Sequence, residues 1–338
     1  MSNSTEQLSL NFNPLTPQAE PAMKFIDLFA GIGGIKIAFE NAGFQCAFSN
    51  DFDSNAKITF DLNFSEPFEI DKQMVLGDIQ KISTDKIPDC DILCGGFPCQ
   101  PFSVAGYRQG FEDERGNLFF DIIRILKDKK PKAFLLENVK NLKTHDKGNT
   151  IKVIHHELQK LGYKITDKVL NSMEYGNIPQ NRERIYIVGF LDQGAFDNFT
   201  FPEKIPLTKT IHDCVEEQEV DGKYYYNDKP LYEKLKNDVT KKDTVYQWRR
   251  KYVRENKNGV CPTLTASMGM GGHNVPIVLN GKGIRKLTPR ECANFQGFPK
   301  SYKLPNIADS HLYKQFGNSV SIPVIERIAK NMNLALTQ

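Results

Sequence analysis

Between residues 24 and 190, short apolar runs alternate with segments of helical periodicity, and this alternation restricts the fold more than any other feature of the chain. Residues 24–29, 47–50, 91–94, 133–136 and 185–190 read as strands. Residues 34–41 read as a helix closed by Gly43, residues 117–127 as a second, and residues 149–161 as a third ending at Gly162. Strands alternating with helices predict an open, mostly parallel α/β sheet that binds its ligands at the strands' carboxyl ends. Beyond Leu191 the pattern breaks down. Residues 191–283 are rich in Lys, Tyr, Asn and Gly and promise short, irregular strands at best; order returns at 284–299 and in a last helix from about Pro323.

A chain of 338 residues suits one large domain and a smaller one. No apolar run approaches the ~20 residues of a membrane span. Residues 1–22 are polar, without a basic-then-apolar leader, so export is not expected and the segment reads as a mobile tail. The seven cysteines include no C-x-x-C pair, so neither a disulfide framework nor a zinc site is expected. Cys46, Cys90, Cys94, Cys214, Cys261 and Cys292 are assigned to packing, and the pair His155-His156 lacks a third ligand. A net charge of +3 is too small to identify a nucleic-acid binder, so the clustering of charge matters more.

DLFAGIGG, residues 27–34, joins the first strand to its helix. Gly31, Gly33 and Gly34 permit a tight turn and close approach of a ligand to the backbone. This is no dinucleotide fingerprint, because Lys36 stands where a small residue is required. Asp51, at the end of the second strand, can take both hydroxyls of a ribose. Phe52 beside it can stack on a base, and Asp78 can accept from an exocyclic amine. A nucleoside without a pyrophosphate fits this set, and S-adenosylmethionine is such a ligand.

GGFPCQPFS, residues 95–103, fixes Cys99 in a stiff turn between Pro98 and the Gln100-Pro101 pair, at the end of a strand. Here the sequence resembles the DNA (cytosine-5)-methyltransferases of bacterial restriction–modification systems. The matching stretches are DLFAGIGG, GFPCQPFS, ENVKN, QNRERIYIVGF, RKLTPRECANFQGFP and QFGNSVSIPV, in the family's usual order. The resemblance implies a Rossmann-like, S-adenosylmethionine-dependent sheet with a smaller, loop-rich target-recognition domain inserted before the C-terminal helix. The expected division is a tail at 1–22, a catalytic and cofactor-binding domain of 23–190 plus 315–338, a target-recognition domain at 191–283, and a linking segment at 284–314.

Cytosine C5 is a poor nucleophile, and adding a thiolate to C6 pushes electron density onto it. The resemblance makes Cys99 that thiolate. It makes Glu137 the carboxyl group that binds N3 and the 4-amino group, a role suited by a raised pKa. Arg182 and Arg184 are expected to reach the same site, one of them contacting the base or ordering Cys99 and Glu137. The implied cofactor contacts are Asp27, Phe29, Gly31, Ile32, Gly33 and Gly34 of the first loop; Asp51, Phe52, Asp78 and Ile79 of the next two strand ends; and Pro98, Leu118, Asn318 and Ser319. No metal is expected.

A stacked cytosine hides its C6 face, so the base must be swung out of double-stranded DNA. YQWRRKYVRENKNG, residues 246–259, is the conspicuous basic cluster, and within the resemblance it belongs to the recognition region. Its Arg249, Arg250 and Arg254 can pair with guanine edges. Thr265, Gly271 and Gly272 can follow the phosphates, Ser103 and Arg115 sit in the loop 103–117 expected to close over the DNA, and Gln100 is a further expected DNA contact. The frame of this region resembles that of enzymes modifying CCGG. A cytosolic monomer is expected, with a restriction endonuclease acting on the same site without a stable complex. A tRNA cytosine methyltransferase of the same fold is the main alternative, but its Cys-Phe-Thr signature is missing. A silent DNA-binding module is opposed by Cys99, Glu137 and Arg182 together, and a nicotinamide oxidoreductase by the absent fingerprint.

Overall fold

A computed structural model describes residues 22–65, 73–98, 118–216, 219–269 and 275–338. Seven strands build the principal sheet: β1 (Lys24–Leu28), β2 (Gln45–Asp51), β3 (Val75–Leu76), β4 (Ile92–Gly96), β5 (Ala133–Val139), β6 (Lys164–Asn171) and, after the short β7 (Gln180–Asn181), β8 (Glu183–Phe190). Their order is β3-β2-β1-β4-β5-β8-β6. The first five run parallel, and β8 runs antiparallel to both its neighbours.

Strand alternation sends the apolar residues into two layers. Phe25 packs on one face with Ile35, Ala38 and Phe39 of α1 (Gly34–Asn41). Ile26 and Leu28 pack on the other, against Phe119, Ile122, Ile125 and Leu126 of α3 (Leu118–Lys129), which follows α2 (Ser54–Phe64) in the chain, and against Ile154 and Leu158 of α4 (Asn149–Lys160). The first face is completed from the far end of the sequence. After α5 (Pro289–Asn294) and α6 (Asp309–Asn318), helix α7 (Ile322–Thr337) lays Ile325, Ile328, Ala329 and Met332 into the same cluster as α1. Its second residue is Pro323, a proline that costs nothing in a first turn.

Strand β6 and helix α2, like the two-residue strand β3, have no counterpart in the periodicity. Strand β6, KITDKVLN, is the sheet edge and buries only Leu170 fully, so it lacks the apolar run of an inner strand. Helix α2 has a mixed face and is held at its start by Asp53, whose carboxylate accepts from the N–H of Asn55 (2.9 Å) and of Ala56 (3.4 Å).

A second sheet follows: β9 (Val245–Trp248), β10 (Val253–Asn256), β12 (Ile277–Leu279) and β13 (Ile284–Lys286), antiparallel in the order β10-β9-β12-β13. It has its own small core of Leu235, Tyr246, Trp248, Ile277 and Ile284. Between its halves, β11 (Cys261–Pro262) pairs with β7, just ahead of β8 of the principal sheet. The expected divisions fall inside structural units: 283/284 lies within the β12–β13 hairpin and 314/315 within α6. Hydrogen bonding in the hairpin and continuous helical backbone keep each unit whole.

The hairpin is anchored by an ion pair in which both side chains are 0% exposed. Arg285 donates through Nη1 to Glu291 Oε2 (2.8 Å) and through Nη2 to Oε1 (2.6 Å). Glu291 also accepts from the N–H of Thr288 (2.7 Å) and of Glu216 (2.8 Å), so one carboxylate fastens β13, the start of α5 and the incoming chain. Removing one partner strands the other charge in the core. Glu291→Ala is expected to cost about 3–5 kcal/mol of stability in chemical denaturation, and adding Arg285→Met should recover part of the loss.

Candidate active site at the carboxyl ends of the parallel strands

A cavity of about 400 Å³ opens where β1, β2, β4 and β5 end. Its floor is the glycine loop. Phe29 (φ 58°), Gly31 (φ 55°) and Gly33 (φ 80°) take left-handed conformations in succession, which turns the chain back over the sheet edge. At Gly33 there is no space for more: a Cβ would lie 2.3 Å from the ring of Phe64. Asp51 braces the loop. Its Oδ2 accepts from the N–H of Gly31 and its Oδ1 from that of Asp53, both at 2.8 Å. Burial raises its pKa, against the pull of those N–H groups. Each oxygen keeps a lone pair for a further donor. Beside it, the ring of Phe52 is 71% exposed on the cavity wall, a large apolar surface placed to meet a flat ligand.

Phe29, Gly31, Ile32, Gly34, Asp51, Phe52, Pro98, Leu118, Asn318 and Ser319 all line this cavity. Four expected cofactor contacts do not. Asp27 points into the layer beneath the loop, because strand alternation puts it on the side of Phe25. It is fully buried, with both carboxylate oxygens unpartnered among the described residues, and burial holds its pKa well above the usual carboxylate range. Gly33 serves the turn and not the wall. Ile79 is buried in the core layer, and Asp78 spends a carboxylate oxygen on the N–H of Gln80 (3.1 Å). Asp78 does follow Gly77, whose N–H bonds the carbonyl of Asp51 (2.9 Å), and so lies close to the Phe52 corner.

At the opposite end of the same cavity, β5 delivers Glu137 and the antiparallel β8 delivers Arg184. The Arg184 Nε lies 3.2 Å from Glu137 Oε1. Burial raises the Glu137 pKa, while Arg184 and then Arg182 oppose the rise. Asn138 holds the neighbouring loop. Its Nδ2 donates to the carbonyl of Phe97 (2.9 Å), and its Oδ1 accepts from the N–H of Val139 (2.8 Å). The segment Gly96–Phe97–Pro98 is thereby set against the end of β5, and all three residues line the cavity.

Arg182 is a different kind of residue from Arg184. It is buried, and its guanidinium donates to the carbonyls of Leu264 (2.9 Å), Gly317 (3.3 Å) and Ser319. Burial pulls its pKa down to about 9, Arg184 adds to the drop, and Glu137 opposes it. Gly317 shows how close these segments lie: a Cβ there would sit 2.1 Å from the carbonyl oxygen of Thr265. Two buried amides continue the seam. Gln180 accepts from the N–H of Leu264 (3.1 Å) and donates to Phe295 O (2.5 Å), while Gln296 donates to Phe316 O (2.7 Å).

The sequence reading passed over Lys314 and Gln315. Lys314 Nζ pairs with Asp53 Oδ2 (2.8 Å). The Gln315 amide accepts from the Thr59 hydroxyl and donates to the Asn55 carbonyl, each at 2.9 Å. The two residues join α6 to α2 across the cavity, and both line it. Gln315 opens the matched stretch QFGNSVSIPV, and Lys314 stands just ahead of it.

A second, larger cleft of about 690 Å³ is lined by Arg249, Arg254, Asn181, Lys257, Thr263 and Thr265, among others. Arg250 is exposed at the β9–β10 turn with φ 65° and is not part of that wall. None of the three arginines has a carboxylate partner among the described residues. Cys99, Gln100, Ser103, Arg115, Gly271 and Gly272 lie outside the described residues. The residues present fit an adenosyl group: a braced carboxylate for hydroxyl donors, an open aromatic face and glycine backbone share one cavity of suitable size.

The model of the C-5 cytosine-specific DNA methylase family matches residues 23–334. Type II methyltransferase M.Bsp6I of Bacillus sp. (strain RFL6) is 53% identical over 315 residues, covering 92% of this chain and 98% of its own. Type II methyltransferase M.HhaI of Haemophilus parahaemolyticus is 41% identical, with 93% and 95% covered. Among solved structures, the Dnmt2 methyltransferase of S. pombe superposes with a TM-score of 0.71 at 21% identity, covering 94% of this chain and 100% of that one, a likeness of fold. The chain belongs to the C-5 cytosine-specific DNA methylase family and is a DNA cytosine-5 methyltransferase.

Proposed function

We propose that the protein methylates C5 of a cytosine swung out of a short double-stranded DNA site, through a transient bond between Cys99 Sγ and C6, as the modification arm of a restriction–modification pair. The observation that carries this reading is a single cavity holding the braced Asp51 carboxylate at one end and the Glu137–Arg184 pair at the other. Pro98, next to Cys99 in the chain, lies on its wall. CCGG is the first site to test. The division of labour between a catalytic unit and a recognition unit around 191–283 belongs to the same proposal. So do the monomeric state, the endonuclease partner and a cytosolic location; no helix among the described residues is long and apolar enough to cross a membrane.

When bound, S-adenosylmethionine supplies a methyl group on a sulfonium centre. Asp51 would take its ribose hydroxyls, Phe52 its adenine face, and the 31–34 and 317–319 backbones its amino-acid end. Glu137, whose hold on a proton burial strengthens, would donate toward N3 of the cytosine and hold its 4-amino group. Negative charge developing in the ring on thiolate attack is then neutralised where it collects. Arg184 would keep the Glu137 carboxyl oriented and face the base's O2. Arg182, spent on three carbonyls, would act through the segments it holds.

A duplex containing 5-fluorocytosine at the target should trap a covalent complex with the wild-type chain and none with Cys99→Ala. Near-normal methylation by Cys99→Ser would sink the adduct. Labelled methyl transfer to tRNA, with none to plasmid DNA, would overturn the substrate assignment.

Asp51→Ala should raise the Kd for S-adenosylhomocysteine about 10- to 100-fold, the loss of charge-assisted hydrogen bonds, with DNA affinity little changed. Calorimetry with each ligand separates the two effects.

The third expectation concerns pH. Burial raises the Glu137 pKa and Arg184 lowers it, so removing the cation raises it further. The protonated form is lost as pH rises through that pKa. Arg184→Gln should therefore slow single-turnover methylation and move its alkaline limb to higher pH; a limb that stays in place contradicts the role given to Glu137.

A further inference from the structure

Gln247 of β9 stands directly opposite Arg254 of β10, so the two side chains leave the hairpin on one face. Both line the 690 Å³ cleft, while Tyr246 and Trp248, on the alternate face, enter the core of the small sheet. Gln247 is only 8% exposed, and its carboxamide has no hydrogen-bond partner among the described residues. Buried amides ordinarily find partners. The polar groups next to it do: Asn256 donates to Val245 O (3.1 Å), the Thr244 hydroxyl donates to Asn256 O (2.7 Å), and Glu255 is held by Lys241 (2.9 Å). Thr244, Glu255 and Asn256 are thus satisfied, while Gln247 faces an open cleft, flanked by Arg249, Arg254 and Lys257, none of which has a carboxylate partner among the described residues.

We propose that Gln247 is a specificity-determining residue, whose carboxamide reads one base-pair edge in the major groove while Arg254 beside it takes a neighbouring guanine. This rests on the reading that the cleft receives the target DNA. A carboxamide presents one donor and one acceptor side by side. The complementary edges are N7 and N6 of adenine, or O6 of guanine with N4 of its paired cytosine. The guanidinium presents donors only and matches guanine N7 and O6. Partial burial adds to the discrimination, because a mismatched edge leaves the amide both dry and unpaired. Arg249 and Lys257, both exposed in the same cleft, supply charge toward phosphates without choosing a sequence.

The test uses the full chain on a randomised duplex library, with methylation read position by position after bisulfite treatment. Gln247→Met keeps the volume and removes the hydrogen bonds. It should relax preference at one base pair by about 5- to 100-fold and leave the other positions of the site unchanged. Gln247→Glu, an acceptor only, should shift that same position toward a pair presenting the cytosine N4 donor in its place. The thermal midpoint should be unchanged and S-adenosylhomocysteine affinity within about twofold of wild type in both, which a merely structural role for Gln247 would not allow alongside a changed profile. A Gln247→Met profile identical to wild type, or a uniform fall in rate at every site, overturns the assignment. No 5-methylcytosine from the wild-type chain on any duplex overturns the underlying reading and this assignment with it.

Discussion

The guanidinium of Arg182 is the interaction on which the rest of the site depends. Its partners are three main-chain carbonyls, from Leu264, Gly317 and Ser319, which belong to segments more than 80 residues distant in the chain. A buried cation held by carbonyl dipoles must have all of them in place, because each missing acceptor leaves charge uncompensated in a poorly polarisable interior. The arrangement therefore fixes three segments at once: the strap leading from β11, the turn that borders the 400 Å³ cavity, and the start of β8 beside Glu137. Backbone-on-backbone contact between Gly317 and Thr265 makes the same seam sterically exact. Where a hydrophobic contact would tolerate sliding, this one does not.

Within the cavity, the two ends use burial in opposite ways. Asp51 is buried and raised in pKa, yet two backbone N–H groups keep its lone pairs pointed and its oxygens defined. Glu137 is buried with no N–H donor of that kind among the described residues, and the guanidinium groups of Arg184 and then Arg182 offset the cost of ionising it. One carboxyl is organised by main-chain donors, the other by side-chain cations. Two chemically similar side chains, at the ends of β2 and β5, thus differ in what their strand ends provide.

Much of this was legible in the residues. The inner strands announce themselves because they are covered on both sides and must be apolar throughout, and the glycine loop because only glycine follows left-handed backbone cheaply. The alternation also predicts the place of the site, at the strand ends. Other features left no trace. Strand β6 is an edge, so half of its side chains face water and its pattern is diluted. Asp27 sits inside a motif that lines the cavity at other positions, and only the direction of a strand residue sends its carboxyl the other way. The contrast between Arg182 and Arg184 is invisible as well, since the partners of Arg182 are carbonyl groups that every residue carries. Gln247 looks like any glutamine in a basic stretch; its distinction is a lack of partners, which appears only once the hairpin is folded.

The reversed direction of β8 has one more consequence. Its neighbours finish at the rim of the cavity, whereas β8 begins there, so the chain segment just ahead of it, β7, already lies at the rim when it pairs with β11. A chain excursion attached through that pairing needs no passage across either helical layer. The principal sheet thus offers a docking ledge at its business end, and lengthening or exchanging what hangs from the ledge can leave the seven-stranded platform untouched.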